Sequence, residues 1–569
     1  MTELVADVRP LAAVPVTAVA VILIIASYRR PNVREAWSVL AAVTKFLIVA
    51  SMLPGVMGWG DREPVIYAWS MGPFVSNIEF ALRADPLGLY FALLASFLWI
   101  FTAFYSAGYM RGLNEHAQTR FFAAFAASLS TALGIAFAQN LLTIFIFYEL
   151  LSLVTYPLVA HDETDEARIA GRKYLTYTFF GGGVFLLAGT VLTYYLTGAI
   201  AENATTEFVA GGIPELATVA NAEPIFAQIT FALLVAGFGV KAAVMPLHSW
   251  LADAMVAPTP VSGLLHAVAV VKSGAFGVAR VILDVFGPET TATIGMHLPL
   301  AGFAAFTLVA ASVIALRKDN LKRRLAFSTT AQLSYIVMGL ALLHPIALVG
   351  ALLHIPAHAF GKLTLFFCAG AIHVETHTDY VSEMAGIGKR MPLTMGAFTV
   401  GAAGMAGIPL VAGFVSKFYL LIGSAGAGGI GTIGAHEAVM SPTTGLIFAS
   451  ALIVSGILNI AYFWPIVYTA FFEAEDSYDA KPLLLADIGG QPMSPGEPAR
   501  TDGGQHDTSH HHGGAPPSGW ERRSPTTEST WLMIAPIGLL ALGALVLGVV
   551  PDEAVFLDLA TQIVAEVTG

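Results

Sequence analysis

Residues 352–367 read LLHIPAHAFGKLTLFF. Within this apolar run His354, His358 and Lys362 stand four residues apart. On a helix, four residues turn through about 400° and rise about 6 Å, so the three side chains line one slightly drifting stripe about 12 Å long. What surrounds that stripe decides what it can do, and the surroundings follow from the rest of the chain.

Of the 569 residues 56% are hydrophobic and 12% charged, whereas a soluble protein carries about 25% charged residues. The chain is therefore read as an all-α polytopic membrane protein. The single cysteine, Cys368, excludes a disulfide framework and a cysteine-ligated cluster, and is expected in a packed core. No cleavable signal is evident, and the first apolar run reads as a span.

Apolar runs of about 17 to 25 residues predict about fourteen transmembrane helices. They lie near 11–28, 37–56, 86–107, 119–138, 140–160, 172–197, 225–245, 257–284, 298–316, 325–343, 345–372, 393–421, 443–471 and 531–550. With the N-terminus outside, the loops assigned to the cytoplasm hold 19 Lys and Arg, and the opposite loops hold only Arg9, Arg62 and Arg83. That split follows the positive-inside rule with both termini outside. RKDNLKRR at 317–324 is the strongest anchor; it reads as a cytoplasmic turn rather than a nucleic-acid patch.

From 473 to 530 the chain turns polar and rich in Gly, Pro and Ser. It is expected to be a mobile cytoplasmic loop, because it cannot bury enough apolar surface to offset its ordering entropy. His506, His510, His511 and His512 in this tract could bind a metal weakly, although a plain polar tract explains them equally.

Basic residues inside spans need a reason, since each costs about 2.5 to 3.5 kcal/mol at mid-membrane. Lys45 and Arg280 lie toward span ends and are expected to snorkel. Lys241, Lys272, Lys362 and Lys417 lie deeper. Glu149, in NLLTIFIFYELLSLVTYPL, is the carboxylate nearest the middle of a span, and Lys241 is its natural partner. Beside a lysine the carboxylate stays charged; if it moves away, the buried lysine can lose a proton, so the pair reads as a switch or as a static ion pair between helices.

The neighbouring sequence is irregular. Pro246, Pro258 and Pro260 lie between Lys241 and Lys272, where His248 and His266 add neutral-pH titration, and Gly407 and Pro409 precede Lys417. Proline removes a helix hydrogen bond, and freed backbone at membrane depth must face protein or water. Pro356 is expected to leave the Leu352 carbonyl open as a place for water. The stripe then reads as a proton relay, against two alternatives: a His-x-x-x-His zinc site, which Lys362 would repel, and histidines satisfied in a helix interface.

FYELL, GFGVKAAVMPLHSWLADAMVAPTPVSGLLHAVAVVKSGAFGVAR, LHIPAHAFGKLTLFFCAG and GIPLVAGFVSKFYLL resemble the hallmark segments of the antiporter-like proton-translocating subunits. That family comprises the large membrane subunits of NADH:quinone oxidoreductase and of Mrp-type cation/proton antiporters, and the resemblance covers roughly 85–470. It implies two inverted five-helix repeats, each with a broken helix, at spans 4–8 and 9–13. The expected divisions are 1–118, 119–284, 285–472, 473–530 and 531–569.

The resemblance also implies a relay of Glu149, Lys241, Lys272, His354, His358, Lys362 and Lys417, with His248 and His266 as further members. It implies no cofactor and no metal; partners would be other membrane subunits, the lipid bilayer, protons and a monovalent cation, and not nucleic acid. The wording around HAFGKLTLFFCAGAIHVETHTDYVSEMAGIGKRMP is most similar to the Mrp D-type subunit. The reading favoured is a sodium/proton antiporter subunit in a bacterial cytoplasmic membrane; the alternatives are a pumping subunit of a redox complex and a scaffold with a silent relay. GAGGIG at 426–431 fits a dinucleotide pattern formally, but follows a span and reads as a turn.

Overall fold

Helix starts are written into the sequence as caps. Asp85, Asn140, Thr164, Asn320 and Ser441 each accept a hydrogen bond from the backbone N–H three residues on, at 2.7 to 3.2 Å. Proline opens the helices at 31, 86, 224, 345, 392 and 442, where its missing N–H costs nothing.

The computed structural model describes residues 3–60, 62–430, 438–474, 515 and 519–568. The helices are α1 (Arg9–Ala26), α2 (Pro31–Val56), α3 (Pro86–Gly112), α4 (Gln118–Phe137), α5 (Leu141–Val159), α6 (Asp165–Ile200) and α7 (Pro224–Lys241). After these come α8 (Val270–Arg280), α9 (His297–Leu316), α10 (Leu321–Ala341), α11 (Pro345–Thr376), α12 (Pro392–Ala406) and α13 (Ala412–Ala427). The last are α14 (Pro442–Phe472), α15 (Trp531–Val549) and α16 (Val555–Thr568).

Eleven helices among the described residues are long and apolar enough to cross a membrane, so the protein is an all-helical multi-span membrane protein. The other three expected spans are there but altered, and each alteration has a cause. The 257–284 run is divided into Thr259–Gly263, a π-helical turn Leu264–Val268, α8 and a second π turn Val281–Val285. α10 begins with the basic residues of RKDNLKRR and is almost wholly buried in protein. The 393–421 run is split into α12 and α13, because Gly407 (φ 85°) and Leu410 (φ 74°) adopt left-handed backbone around Pro409.

Three features depart from the sequence reading. A small sheet precedes α3: β1 (Glu3–Ala6) pairs parallel with β2 (Val65–Val75), and β2 antiparallel with β3 (Ile78–Ala84). The tail after α15 forms α16, packed on α3 and α11. The end of the 473–530 segment is docked rather than loose. Glu528, wholly buried, accepts from the Leu393 and Thr394 N–H groups and from Thr394 Oγ1 at 2.8 to 2.9 Å, capping α12. Trp520 Nε1 donates to Ala385 O at 2.8 Å. The histidines at 506–512 lie outside the described residues.

Both chain ends meet the same end of the bundle. Arg9 Nη1 donates to Ser51 O at 2.9 Å and Gln562 Nε2 to Val56 O at 3.2 Å. α11 runs through the centre, where Cys368 is buried and its Sγ donates to Thr394 O at 3.2 Å.

Candidate functional site

Lys241 is the last residue of α7. The helix stops there because Ala243 takes a left-handed conformation (φ 54°) ahead of Pro246, and Trp250 Nε1 caps the exposed Val240 carbonyl at 2.9 Å. The amine does not form the expected ion pair with Glu149. Nζ donates instead to Tyr148 O at 2.5 Å and lies 3.4 Å from the centre of the Tyr148 ring. Glu149, the next residue of α5, turns its carboxylate onto Gly183, where a π turn (Thr176–Gly182) interrupts α6. Its Oε1 is buried with no hydrogen-bond partner among the described residues. The two groups are electrostatic neighbours that do not touch, so the pair stands open in this conformation.

The stripe of the opening stretch is buried on one helix, as its spacing predicts. Lys272 Nζ lies 2.8 Å from His358 Nδ1. The rings of His358 and His354 are 6.3 Å apart. His354 Nε2 is 2.9 Å from Gln332 Oε1, and its Nδ1 is 2.9 Å from Ser416 Oγ. Gln332 Nε2 donates to Met405 O at 3.3 Å, and Lys417 Nζ donates to the same oxygen. That carbonyl is free because residue 409, four positions on, is a proline without an N–H.

These contacts also assign protons. Only the amide nitrogen of Gln332 can donate to Met405 O, so its oxygen faces His354, and His354 carries hydrogen on Nε2. Nδ1 of His354 can then accept from Ser416 or, when the ring is charged, donate to it. If Lys272 donates to His358 Nδ1, the His358 hydrogen sits on Nε2, which has no partner among the described residues.

Lys362 and His266 stand beside this line without hydrogen bonds into it. Lys362 Nζ donates to Leu325 O at 3.1 Å and lies 5.3 Å from the Phe463 ring. The His266 ring packs 4.8 Å from Phe366 with both nitrogens unpartnered among the described residues. His248 lies apart, in the irregular segment after Lys241, with its ring 6.3 Å from Phe327. No hydrogen bond joins Lys241 to Lys272 among the described residues, although α7 and α8 pack together.

The buried cations fall into two chemical kinds. Lys241, Lys362 and Lys417 each have a backbone carbonyl as acceptor and an aromatic face nearby, Lys417 lying 4.7 Å from the Tyr335 ring. Such a cradle accepts a hydrogen bond from an ammonium or from a neutral amine, so it does not lock the charge. Arg280 is the opposite case and does not snorkel. It is wholly buried and paired at 2.7 Å with both Asp85 and Asp284, under the loop that carries Phe208. Lys45 does not snorkel either: buried in α2, it donates to Thr17 Oγ1 at 2.7 Å beneath Trp99. The Leu352 carbonyl is not left for water, since Tyr90 Oη donates to it at 2.8 Å and α11 runs through Pro356 unbroken.

Sequence reasoning missed Tyr148, Gln332, Ser416 and Tyr335. The signal was available for Gln332, a lone amide in the apolar half of α10, but not for the others, which are ordinary residues in a helix.

A bundle of apolar helices enclosing a line of lysines and histidines, with helix breaks beside the lysines, defines a membrane protein of the ion-translocating class. The chain belongs to the NADH:quinone oxidoreductase/Mrp antiporter transmembrane family, whose model matches residues 138–468. It is 33% identical over 413 residues to NADH-quinone oxidoreductase subunit N of Desulforudis audaxviator, covering 72% of this chain and 76% of that one. It is 32% identical over 356 residues to a Na(+)/H(+) antiporter subunit of Alkalihalophilus pseudofirmus, covering 60% of this chain and 42% of that longer one. Among solved structures it is similar to a chain of the archaeal membrane-bound sulfane sulfur reductase, with TM-score 0.75, 20% identity, and 99% and 98% of the two chains covered. It is also similar to a chain of the Mrp complex from Dietzia sp., with TM-score 0.72, 23% identity, and 98% and 52% covered.

Proposed function

We propose that this chain moves protons in the membrane plane as a subunit of a multi-subunit monovalent cation (sodium)/proton antiporter, of the Mrp D type. The observation that carries the reading is the line from Lys272 through His358, His354 and Gln332 to Lys417, in which the lysines are held by carbonyls, ring faces or a histidine and not by carboxylates. Glu149 and Lys241 gate it: closing the pair favours a charged Lys241, and opening it releases the proton toward Lys272. Lys362 and His266 adjust the field along the line, and Lys417 is the terminal group. Support for the antiporter branch comes from the sequence at 358–391 and from the fold shared with the Mrp chain. The basic end of the bundle would face the cytoplasm of a bacterial cell and both termini the outside. A membrane potential of 100 mV supplies about 2.3 kcal/mol per charge to drive exchange when more protons enter than cations leave.

A second reading is a proton-pumping membrane subunit of a redox complex. The matches with high coverage of both chains, subunit N and the sulfane sulfur reductase chain, favour it. One experiment separates the two. The complete gene cluster is expressed in a host lacking its own sodium/proton antiporters, and the pH gradient of everted vesicles is followed on adding sodium. Sodium-dependent collapse that disappears in Lys241→Ala supports the antiporter. No response to any monovalent cation, with quinone-dependent pumping instead, moves the chain to the redox complexes.

A further inference from the structure

We infer that Glu115, His116 and His161 form a binding site for a divalent transition-metal ion of the zinc class, bridging two turns at the basic end of the bundle. Glu115 and His116 sit in the turn between α3 and α4, and His161 in the turn between α5 and α6. One ligand atom from each lies within 4.8 Å of the other two. Ligands about 2.0 to 2.2 Å from a tetrahedral zinc stand about 3.3 Å apart, so the turns need close by only about 1 Å.

Two observations point to a ligand rather than to packing. His161 is 0% exposed, yet neither of its ring nitrogens has a hydrogen-bond partner among the described residues. Buried imidazole nitrogens are ordinarily satisfied, and an orphaned pair is what a metal would complete. The second is the orientation of His116. Its Nε2 lies 3.1 Å from His161 O, which can only accept, so Nε2 carries the hydrogen and Nδ1 holds the lone pair, 3.6 Å from Glu115 Oε2. A ligating histidine is typically fixed in this way, by donating its other N–H to a carbonyl.

The surrounding charges are mixed, and the balance favours a cation. Glu115 and Asp162 are both pushed up, first by burial, and Glu115 further by Asp162 beside it. A dication would relieve both. Arg120 opposes binding, but it is committed to Glu163 and to His161 O at 2.9 Å. Lys322 faces Asp162 from α10. Burial keeps His161 neutral by pushing it down to about 4. Two imidazoles with one carboxylate select zinc and its neighbours over magnesium or calcium, leaving a fourth position for water or Asp162. The site lies in loops outside the line of lysines and histidines and does not depend on the proposed transport function.

The test uses the full chain purified in detergent, with His506, His510, His511 and His512 replaced by serine throughout so that the polar tract cannot bind metal. Zinc chloride is titrated calorimetrically, and bound zinc is counted by mass spectrometry after dialysis. One zinc per chain is expected, with affinity weakened more than about 100-fold in His116→Gln and in His161→Gln, since even outer-shell changes cost about 10- to 100-fold. Zinc should raise the melting temperature of the parent and of neither variant. X-ray absorption of the cobalt-substituted parent should show two imidazoles, a readout that stands even where a variant fails to fold. No zinc above background, or equal affinity in the parent and both variants, would overturn the assignment.

Discussion

Replacing Gln332 with leucine removes one side chain from the centre of the line while nearly preserving its volume. Two contacts go: the acceptor at 2.9 Å for His354 Nε2, and the donor at 3.3 Å to Met405 O. Met405 O keeps Lys417, so the loss falls on His354, which is wholly buried and left with an unpaired N–H. An unsatisfied buried donor costs about 1–3 kcal/mol. If the state in which His354 holds the proton bears that cost, transport slows by about 5- to 150-fold, at 1.36 kcal/mol per factor of ten. Gln332→Glu keeps an acceptor toward His354 and is expected to lose less. The assay is the initial rate of pH-gradient change in everted vesicles carrying equal amounts of the protein. A wild-type rate in Gln332→Leu would refute the reasoning, because no other described group offers His354 Nε2 an acceptor.

Gly183→Ala places a methyl group about 2.6 Å from the Glu149 carboxylate, so it should displace that group and impair transport as severely as Glu149→Ala; normal vesicle rates in Gly183→Ala would remove Glu149 from the gate. Arg280→Met leaves Asp85 and Asp284 buried without their cation, and a loss of about 3–5 kcal/mol should appear as a large fall in melting temperature in detergent. Tyr90→Phe strips the Leu352 carbonyl of its donor, and a destabilisation of about 1–3 kcal/mol is expected unless water enters at Pro356, which hydrogen exchange at α11 would detect. Glu383, in the loop between α11 and α12, is pushed up from its ordinary 4.5 to about 7 by burial and then by Asp319 and Asp379. The folded protein therefore holds a proton between those values that the unfolded chain has released, and stability falls as pH rises through that window. Glu383→Gln should flatten the dependence of melting temperature on pH between 5 and 8.

Apolar run length located every span, because a bilayer demands about twenty residues of uninterrupted hydrophobicity whatever the sequence does in detail. The stripe of His354, His358 and Lys362 was equally legible, since helical period alone puts them on one face. Errors arose where a side chain's partner comes from a distant helix. Arg280 looked like a span-end residue because Asp85 is 195 positions away in sequence, and Tyr90 reaches Leu352 across 262 positions. The same limit hid Glu528, which reads as one acid in a polar tract and is the cap of α12. The sheet was missed because β2 and β3 sit in a stretch treated only as a loop between spans, although VIYAWSMGPFV is rich in strand-forming residues.

The Met405 oxygen has a consequence for how any current could flow. A carbonyl receives hydrogen bonds and owns no hydrogen to pass on. Gln332 and Lys417 approach it from two helices, both as donors, so the bond polarity reverses there, as at the meeting point of two head-to-head chains of water. Charge reaching His354 cannot cross that point by exchange of bonds alone. Lys417 has to release the oxygen, turn on its flexible stem and return, and each turnover then includes a mechanical stroke. A shorter or stiffer residue at 417 would keep every static contact upstream and still stall the cycle.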